Sequence, residues 1–385
     1  MFRCTAQFPV VQRMNEQYTE ALRVLRKMMN TLRADTPITE YPVDRAASSD
    51  VRTGYIEGRP VRRLVVTLRS PGCSWVSRGG GCTMCGHWAG TTRGVLPDPR
   101  DTVRQFVSET ARYNLDNIEV ISIYNSGSIL NPDEIHPAAL ENICTRISGM
   151  PSVGKVVLET RAEYVDPAVV ASLARLLGPD IRLSIAIGLE TADDRKRDLL
   201  MNKGCSLEEM KRVILSLEGI ADVQLYVLLG LPFLTESELI GDAVRTIYCA
   251  ADLGADEIHI EPATLQRYTL SGLLAEAGLY RLPSLYSLYE VLRTVVPDVR
   301  PYVSPFMHMP PPDRIPEGCS LCTDRLIYWL LERYNLSRDR KSLEYGSCGC
   351  MAAWRRRLED VDPRPLEQRV LEAVSGLLPV DSFRG

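Results

Sequence analysis

Cys73-Ser-Trp-Val-Ser-Arg-Gly-Gly-Gly-Cys82-Thr-Met-Cys85-Gly-His-Trp88 lies just beyond the apolar run Arg62-Arg-Leu-Val-Val-Thr-Leu68. The run reads as a strand, and the strand delivers three thiols into one loop. Gly79, Gly80 and Gly81 let the backbone turn where a Cβ would clash, so Cys73, Cys82 and Cys85 can wrap one inorganic centre. Zinc in a structural site takes four protein ligands, and no fourth cysteine lies nearby, although His87 could complete a tetrahedron. Three thiolates on a four-iron cluster leave one iron open to chelate a small molecule. The competing reading makes Cys73 a buried small hydrophobe and Cys82/Cys85 a redox or zinc pair.

Outward from that loop, short apolar runs alternate with helical patterns, the text of a parallel sheet. The runs are Leu64–Leu68, Ile118–Ile123, Val153–Leu158, Ile181–Ile187, Val223–Leu229 and Glu257–Ile260. Helical stretches fall near Asp101–Asn114, Pro132–Ser148, Pro167–Leu177, Ser206–Leu217 and Ser237–Leu253. The expected fold is α/β: a partial (β/α)6 barrel of TIM type, with its site at the carboxyl ends of the strands. Polar and glycine residues recur at those ends while the strand interiors read as apolar. They are Tyr124-Asn125-Ser126-Gly127-Ser128, Glu159-Thr160-Arg161, Gly188-Leu189-Glu190-Thr191, Gly230-Leu231-Pro232 and Glu261-Pro262.

The arrangement Cys-x8-Cys-x2-Cys after the first strand of a βα series resembles the radical S-adenosylmethionine (SAM) superfamily. Eight residues, rather than the usual three, separate the first two cysteines. Gly188-Leu-Glu-Thr-Ala-Asp-Asp-Arg-Lys-Arg-Asp-Leu-Leu-Met-Asn-Lys-Gly204 and Leu228-Leu-Gly-Leu-Pro232 resemble the branch that includes the elongator catalytic subunit and the tRNA methylthiotransferases. With the glycine run, the wide gap to Cys73 and the Tyr124–Ser128 loop, the chain is similar to the archaeosine synthase radical SAM family from about Val61 to about Trp354.

That resemblance implies a 4Fe-4S cluster on Cys73, Cys82 and Cys85, and SAM on the open iron. Carbonyls of Asn125, Ser126 and Gly127 would accept from the methionine ammonium, where the superfamily carries Gly-Gly-Glu. Glu159 and Glu190 would accept from the ammonium or the ribose hydroxyls, Lys203 would pair with the methionine carboxylate, and the Gly230 turn would lie against adenine. It also implies the substrate, a tRNA carrying a lysine adduct of 7-cyano-7-deazaguanine at position 15. Hydrogen abstraction by the 5′-deoxyadenosyl radical and carbon–nitrogen cleavage would leave archaeosine, with the lysine-adding synthase subunit as partner. The alternatives are an enzyme of the same branch acting on another nucleoside or metabolite, and a non-catalytic zinc-binding RNA-binding protein.

A second group, Cys319, Cys322, Cys348 and Cys350, forms two close pairs with 25 residues between them. Four such thiols fit a zinc site stapling a small lobe, and an auxiliary iron–sulfur cluster would use the same ligands. Cys4, Cys144, Cys205 and Cys249 stand singly and read as packing residues. His87 and Trp88 wall the cluster or stack on adenine, unless they only pack. His259 lines the core or the site.

The chain has 385 residues, 45% hydrophobic and 24% charged, with a net charge of −4 and eleven cysteines. It divides into an N-terminal helix and linker (1–60), the barrel (61–300) and a C-terminal lobe (301–385). The helix runs over Val11–Leu32, Asp44–Gly58 reads as irregular, and Met307-His308-Met309-Pro310-Pro311-Pro312 reads as a rigid connector. Met1-Phe-Arg-Cys-Thr lacks an export pattern and no apolar stretch reaches a membrane span, so a cytoplasmic protein with reduced thiols is expected. Arginines crowd at Arg13–Arg33, Arg59–Arg78 and Arg325–Arg357, a basic face suited to phosphate and so to tRNA, or else solvated ion-paired helix faces.

Overall fold

The computed structural model describes residues 16–296, 298–306, 310–344 and 348–377. Cys4, Arg13, the first residues of the N-terminal helix and Met307-His308-Met309 lie outside the described residues. The chain builds one eight-stranded sheet whose neighbours follow sequence order: β1 (Ser48–Ile56), β2 (Arg59–Thr67), β3 (Val120–Tyr124), β4 (Lys155–Thr160), β5 (Arg182–Glu190), β6 (Asp222–Leu229), β7 (Glu257–Pro262) and β8 (Tyr302–Val303). β2 to β8 are all parallel. This is the partial barrel that the spacing of apolar runs foretells. Two strands were not foretold. Ser48–Ile56, read as irregular linker, pairs antiparallel with β2 through the Glu57-Gly58 turn, where both residues have positive φ as a type I′ hairpin needs. β8 is too short to leave a pattern.

Alternation sorts the strands into two faces. Leu64, Ile121, Val156, Ile185, Leu225 and Ile260 are fully buried toward the helices, each worth about 1.5–3 kcal/mol of burial. The helices are α1 (Glu16–Asp35), α2 (Ser74–Gly79), α3 (Pro99–Thr110), α4 (Pro137–Ser148), α5 (Pro167–Leu177), α6 (Asp194–Leu199), α7 (Leu207–Ser216) and α8 (Glu236–Asp252). α9 (Leu270–Glu276), α10 (Leu285–Val295), α11 (Thr323–Tyr328), α12 (Asn335–Ser337), α13 (Met351–Leu358) and α14 (Leu366–Ser375) complete the set. Proline at the first helical position follows a capping Asp98, His136 or Asp166 in α3, α4 and α5, and capping boxes Ser206/Glu209 and Thr235/Glu238 start α7 and α8. Each strand end therefore turns sharply into its helix, which leaves the intervening loops free to converge.

The lumen face is not apolar throughout. Val61, Val120, Val157 and Ala186 share it with Arg63, Ser122, Lys155, Ser184, Gln224 and His259. Tyr55 of β1 stacks on Tyr302 of β8 at 3.7 Å, with the Arg338 guanidinium 4.5 Å from the Tyr302 ring. The two edges of the sheet thus meet through side chains. A second core joins α1, α9 and α14 through Leu25, Met29, Leu270, Leu274, Val370 and Val374. The C-terminal lobe packs Leu326, Leu330, Tyr334 and Trp354 into the main core against Tyr286 and Tyr289 of α10. Among the described residues, no helix is long and apolar enough to cross a membrane.

Candidate active site

Six of the eight residues between Cys73 and Cys82 form α2, with Cys73 as its N-cap and Gly80 as a left-handed C-cap whose N–H donates to the Val76 carbonyl. That single turn takes up the long spacing and returns the chain to the first thiol. Gly80 and Gly81 both have φ of 78°, and a Cβ on Gly79 would strike the Trp75 ring at 2.5 Å.

Three elements lock the loop from outside. Arg33 of α1 is buried, and it donates to the carbonyls of Gly80 (2.9 Å) and Cys82 (3.0 Å). Asn202 donates to the carbonyls of Gly79 and Gly81 at 2.6 and 2.8 Å, while Trp75 donates to the Asn202 carbonyl at 2.6 Å. Gln266 accepts from the Gly86 N–H at 2.8 Å. Arg33 was counted with the basic surface of α1; the structure spends it on carbonyls inside. Arg63 and Arg69 are buried likewise, and Arg357 pairs with Glu236 at 3.2 Å. Exposed basic groups remain in all three clusters: Arg23 and Arg26 on α1, Arg59, Arg62 and Arg78, and in the lobe Arg325, Arg340, Arg355 and Arg356.

The three thiols lie near enough for the Cys82 charge to reach the other two, though not within the 4.8 Å that gathers the four cysteines of the lobe. Burial pushes the Cys73 thiol up to about 12 against the pull of Arg161, and raises Cys85 against the pull of Arg33; the charge of Cys82 acts on both. A metal centre would take the place of those protons. Three sulfurs flanked by Arg33 and Arg161 suit an anionic cluster with one open position.

The strand-end residues converge on the space around these thiols from the other loops. Asn125 accepts from the Gly127 N–H at 3.1 Å, and Gly127 lies so close to Cys73 that a Cβ would stand 2.8 Å from the Cys73 Cα. Ser126 is buried. Glu134, which the sequence reading passed over inside a helical stretch, is fully buried between the two loops. It accepts from the Ser74 N–H (2.9 Å), the Ser128 N–H (2.6 Å) and Asn131 (2.8 Å). Its only sequence signal is a carboxylate three residues after Asn131 in a loop rich in donors.

At the end of β5 a register shift between Gly188 and Glu190 puts Glu190 at φ 63°, and its carboxylate meets the Lys203 ammonium at 2.7 Å. A Cβ on Gly188 would collide with both partners, 2.2 Å from Glu190 Oε1 and 2.4 Å from Lys203 Nζ. Desolvation works against the Lys203 ammonium, but Glu190 and the Cys205 and Cys82 thiols hold its pKa above the usual value. Glu159 is pushed up to about 7 by desolvation and then by Glu190. Gly230 has φ 124°, with its carbonyl already taken by Tyr280 at 2.6 Å and a Cβ barred by Ala263 and Pro283.

Below this rim, Arg63 donates to Ser122 at 2.7 Å and to the Tyr124 hydroxyl, which lies 2.9 Å from that of Tyr226. His259 bonds Glu257 at 3.1 Å, and Lys155 reaches Glu257 across the lumen. Trp88 packs on Gly72 beneath the Arg93 guanidinium, 4.9 Å from its ring.

Far from this space, the sulfurs of Cys319, Cys322, Cys348 and Cys350 all lie within 4.8 Å of one another, with neighbours at 3.7, 3.6 and 3.5 Å. A tetrahedral ion with metal–sulfur bonds near 2.3 Å sets sulfur–sulfur edges of roughly 3.8 Å. The set is dimensioned for one ion. The Tyr286 hydroxyl lies 3.3 Å from Cys350 Sγ, and the Cys319 N–H donates to Cys322 Sγ at 3.3 Å. Cys144, Cys205 and Cys249 are buried packing residues.

No family model matches the chain. It is 29% identical to archaeosine synthase subunit beta of Methanosarcina acetivorans over 88% of this chain and 97% of that one. It is 28% identical to the protein of the same name from Thermococcus kodakarensis, over 78% and 92%. Among solved structures it is similar to methylornithine synthase (TM-score 0.44, 12% identity, 74% and 70% covered) and to the Methanocaldococcus infernus Elp3 (TM-score 0.43, 15% identity, 62% and 60% covered).

Proposed function

We infer that this radical SAM enzyme modifies tRNA, converting the lysine adduct of 7-cyano-7-deazaguanine at position 15 to archaeosine. The observation that carries the reading is the three-thiol loop clamped by Asn202 to the segment that presents Lys203 to Glu190, in a chain similar along nearly all its length to archaeosine synthase subunit beta. In this reading Cys73, Cys82 and Cys85 hold a 4Fe-4S cluster. Lys203 takes the carboxylate of SAM, the carbonyls of Asn125, Ser126 and Gly127 accept from its ammonium, Glu159 and Glu190 hold ammonium or ribose hydroxyls, and the Gly230 turn backs the adenine. Bound there, cluster and SAM would supply 5′-deoxyadenosyl-radical chemistry, hydrogen abstraction from the lysyl portion and cleavage of its carbon–nitrogen bond.

The chain's own part is placement. Lys203 exchanges Glu190 for a ligand carboxylate, and Glu134 holds the cluster loop and the Asn125–Gly127 loop at fixed separation. The four-cysteine site is assigned zinc, and the exposed arginines of the lobe are assigned to tRNA phosphates. The lysine-adding synthase subunit is the expected partner. Anaerobic reconstitution with iron and sulfide, then SAM, dithionite and adduct-bearing tRNA, tests the reading. 5′-Deoxyadenosine and archaeosine should form together, and both should vanish in Cys82→Ala. Iron-loaded wild type that leaves the adduct intact would sink the proposed reaction.

A further inference from the structure

Glu261 ends β7 on the lumen face, in step with Glu257 and His259, and nothing in the SAM reading uses it. The Ser304 hydroxyl, just past β8, donates to its carboxylate. Arg52 of β1 stands directly opposite Arg63 in the β1–β2 pair, so both point into the lumen. Asp50 holds one edge of the Arg52 guanidinium, at 2.7 Å to each of two nitrogens, and both side chains stay partly open to solvent. The charge of Arg52 acts on Glu261 and on Tyr124. One acceptor for a cation and one donor for a carboxylate therefore flank, on the lumen side, the seam where β1 meets β8, marked by Tyr55 of β1 stacked on Tyr302, the β8 partner of His259. Glu190, paired with Lys203, is near enough for its charge to act on Glu261, while Lys203 feels the Cys82 thiol.

We propose that Glu261 and Arg52 receive the ammonium and the carboxylate of an α-amino-acid group carried by the substrate. The inference rests on the reading of the function above and takes the lysine to be joined to the base through its side-chain nitrogen, which leaves its α-ammonium and α-carboxylate free. Desolvation, together with Glu159 and Glu190, raises the Glu261 carboxyl to about 8 in spite of Ser304, so a cation bound beside it would favour its ionised form. SAM carries the same α-amino-acid chemistry, and the test must separate the two sources.

Three adduct-bearing tRNAs do so: one made with lysine, one with 6-aminohexanoate, which lacks the α-ammonium, and one with 1,5-diaminopentane, which lacks the carboxylate. Wild type should prefer the lysyl adduct to either analogue in kcat/KM, on the order of tenfold to a hundredfold. Glu261→Gln should lose the preference over the 6-aminohexanoyl adduct only, and Arg52→Gln the preference over the diaminopentane adduct only. Each variant should keep the wild-type iron content and the wild-type Kd for SAM measured without tRNA. Preferences that survive both substitutions, or a Kd for SAM raised about tenfold by Glu261→Gln, would overturn the inference while leaving the function standing. Wild type inert on all three adducts would overturn the function itself, and with it the ligand named here.

Discussion

Gly188 shows how much of the site depends on a missing side chain. The Glu190–Lys203 pair occupies the volume a Cβ would take, and both colliding atoms are the far ends of flexible chains. Gly188→Ala should therefore shift the pair at little cost to folding, yet raise the Kd for SAM on the order of tenfold; calorimetry beside a thermal melt separates the two effects. The carboxyls around it carry a pH signature. Glu159 and Glu261 have folded values near 7 and 8, above their unfolded range, because burial and mutual repulsion disfavour the charged forms. The unfolded chain releases these protons first, so their contribution is full below about pH 4 and is lost as pH rises toward 8. Urea midpoints of cluster-free protein should fall from pH 5 to pH 8, and Glu159→Gln with Glu261→Gln should flatten the slope. The positions of Glu159 and Glu190 at strand ends, and of Cys73, Cys82 and Cys85 in one glycine-rich loop, were legible in the sequence because polar and thiol groups there interrupt apolar runs. Glu134 and Arg33 were not, since a carboxylate in a loop and an arginine on an amphipathic helix look like surface until the fold buries them.

At the scale of elements, the six longer parallel strands were legible because their helix-facing sides are unbroken Val, Ile and Leu. β1 was hidden: Ser48-Ser-Asp-Val-Arg-Thr-Gly-Tyr-Ile56 has no apolar alternation, as befits an edge strand whose lumen positions are Asp50, Arg52 and Gly54. The same polarity on the lumen faces of β2, β4, β6 and β7 was masked by the apolar residues between. One consequence is the Lys155–Glu257 pair, which joins β4 to β7 across the barrel floor with side chains only 5% and 15% exposed. Burial opposes the Glu257 charge, but the bond to His259 and the charges of His259 and Lys155 hold its pKa down at about 2. Lys155→Met should cost about 1–3 kcal/mol, since it removes the cation and leaves the carboxylate only its bond to His259, and adding Glu257→Gln should recover most of it in the same urea titration.

For the whole molecule, the question is how two cysteine sites of different size share one chain. The cluster loop is held by α1, the segment after β5 and Gln266, whereas Cys319, Cys322, Cys348 and Cys350 close a lobe whose Leu326, Leu330 and Trp354 enter the main core beside α10. Sulfur–sulfur distances of 3.5 to 3.7 Å fit one tetrahedral ion; a four-iron cluster would seat each thiolate on a separate iron and spread them. Sequence could not separate these cases because the ligand spacing is common to both, and only the folded distances differ. Replacing Cys73, Cys82 and Cys85 together by alanine in anaerobically prepared protein should remove all iron, leave about one zinc per chain by elemental analysis, and change the thermal midpoint little. Cys322→Ser should do the converse, keeping the iron and its absorbance while lowering the midpoint by several degrees, since the lobe loses its staple but keeps its packing on Tyr286 and Tyr289. Iron persisting in the triple variant would put iron in place of zinc at the four-cysteine site, the one group of three or more metal-ligating side chains that lies that close together among the described residues.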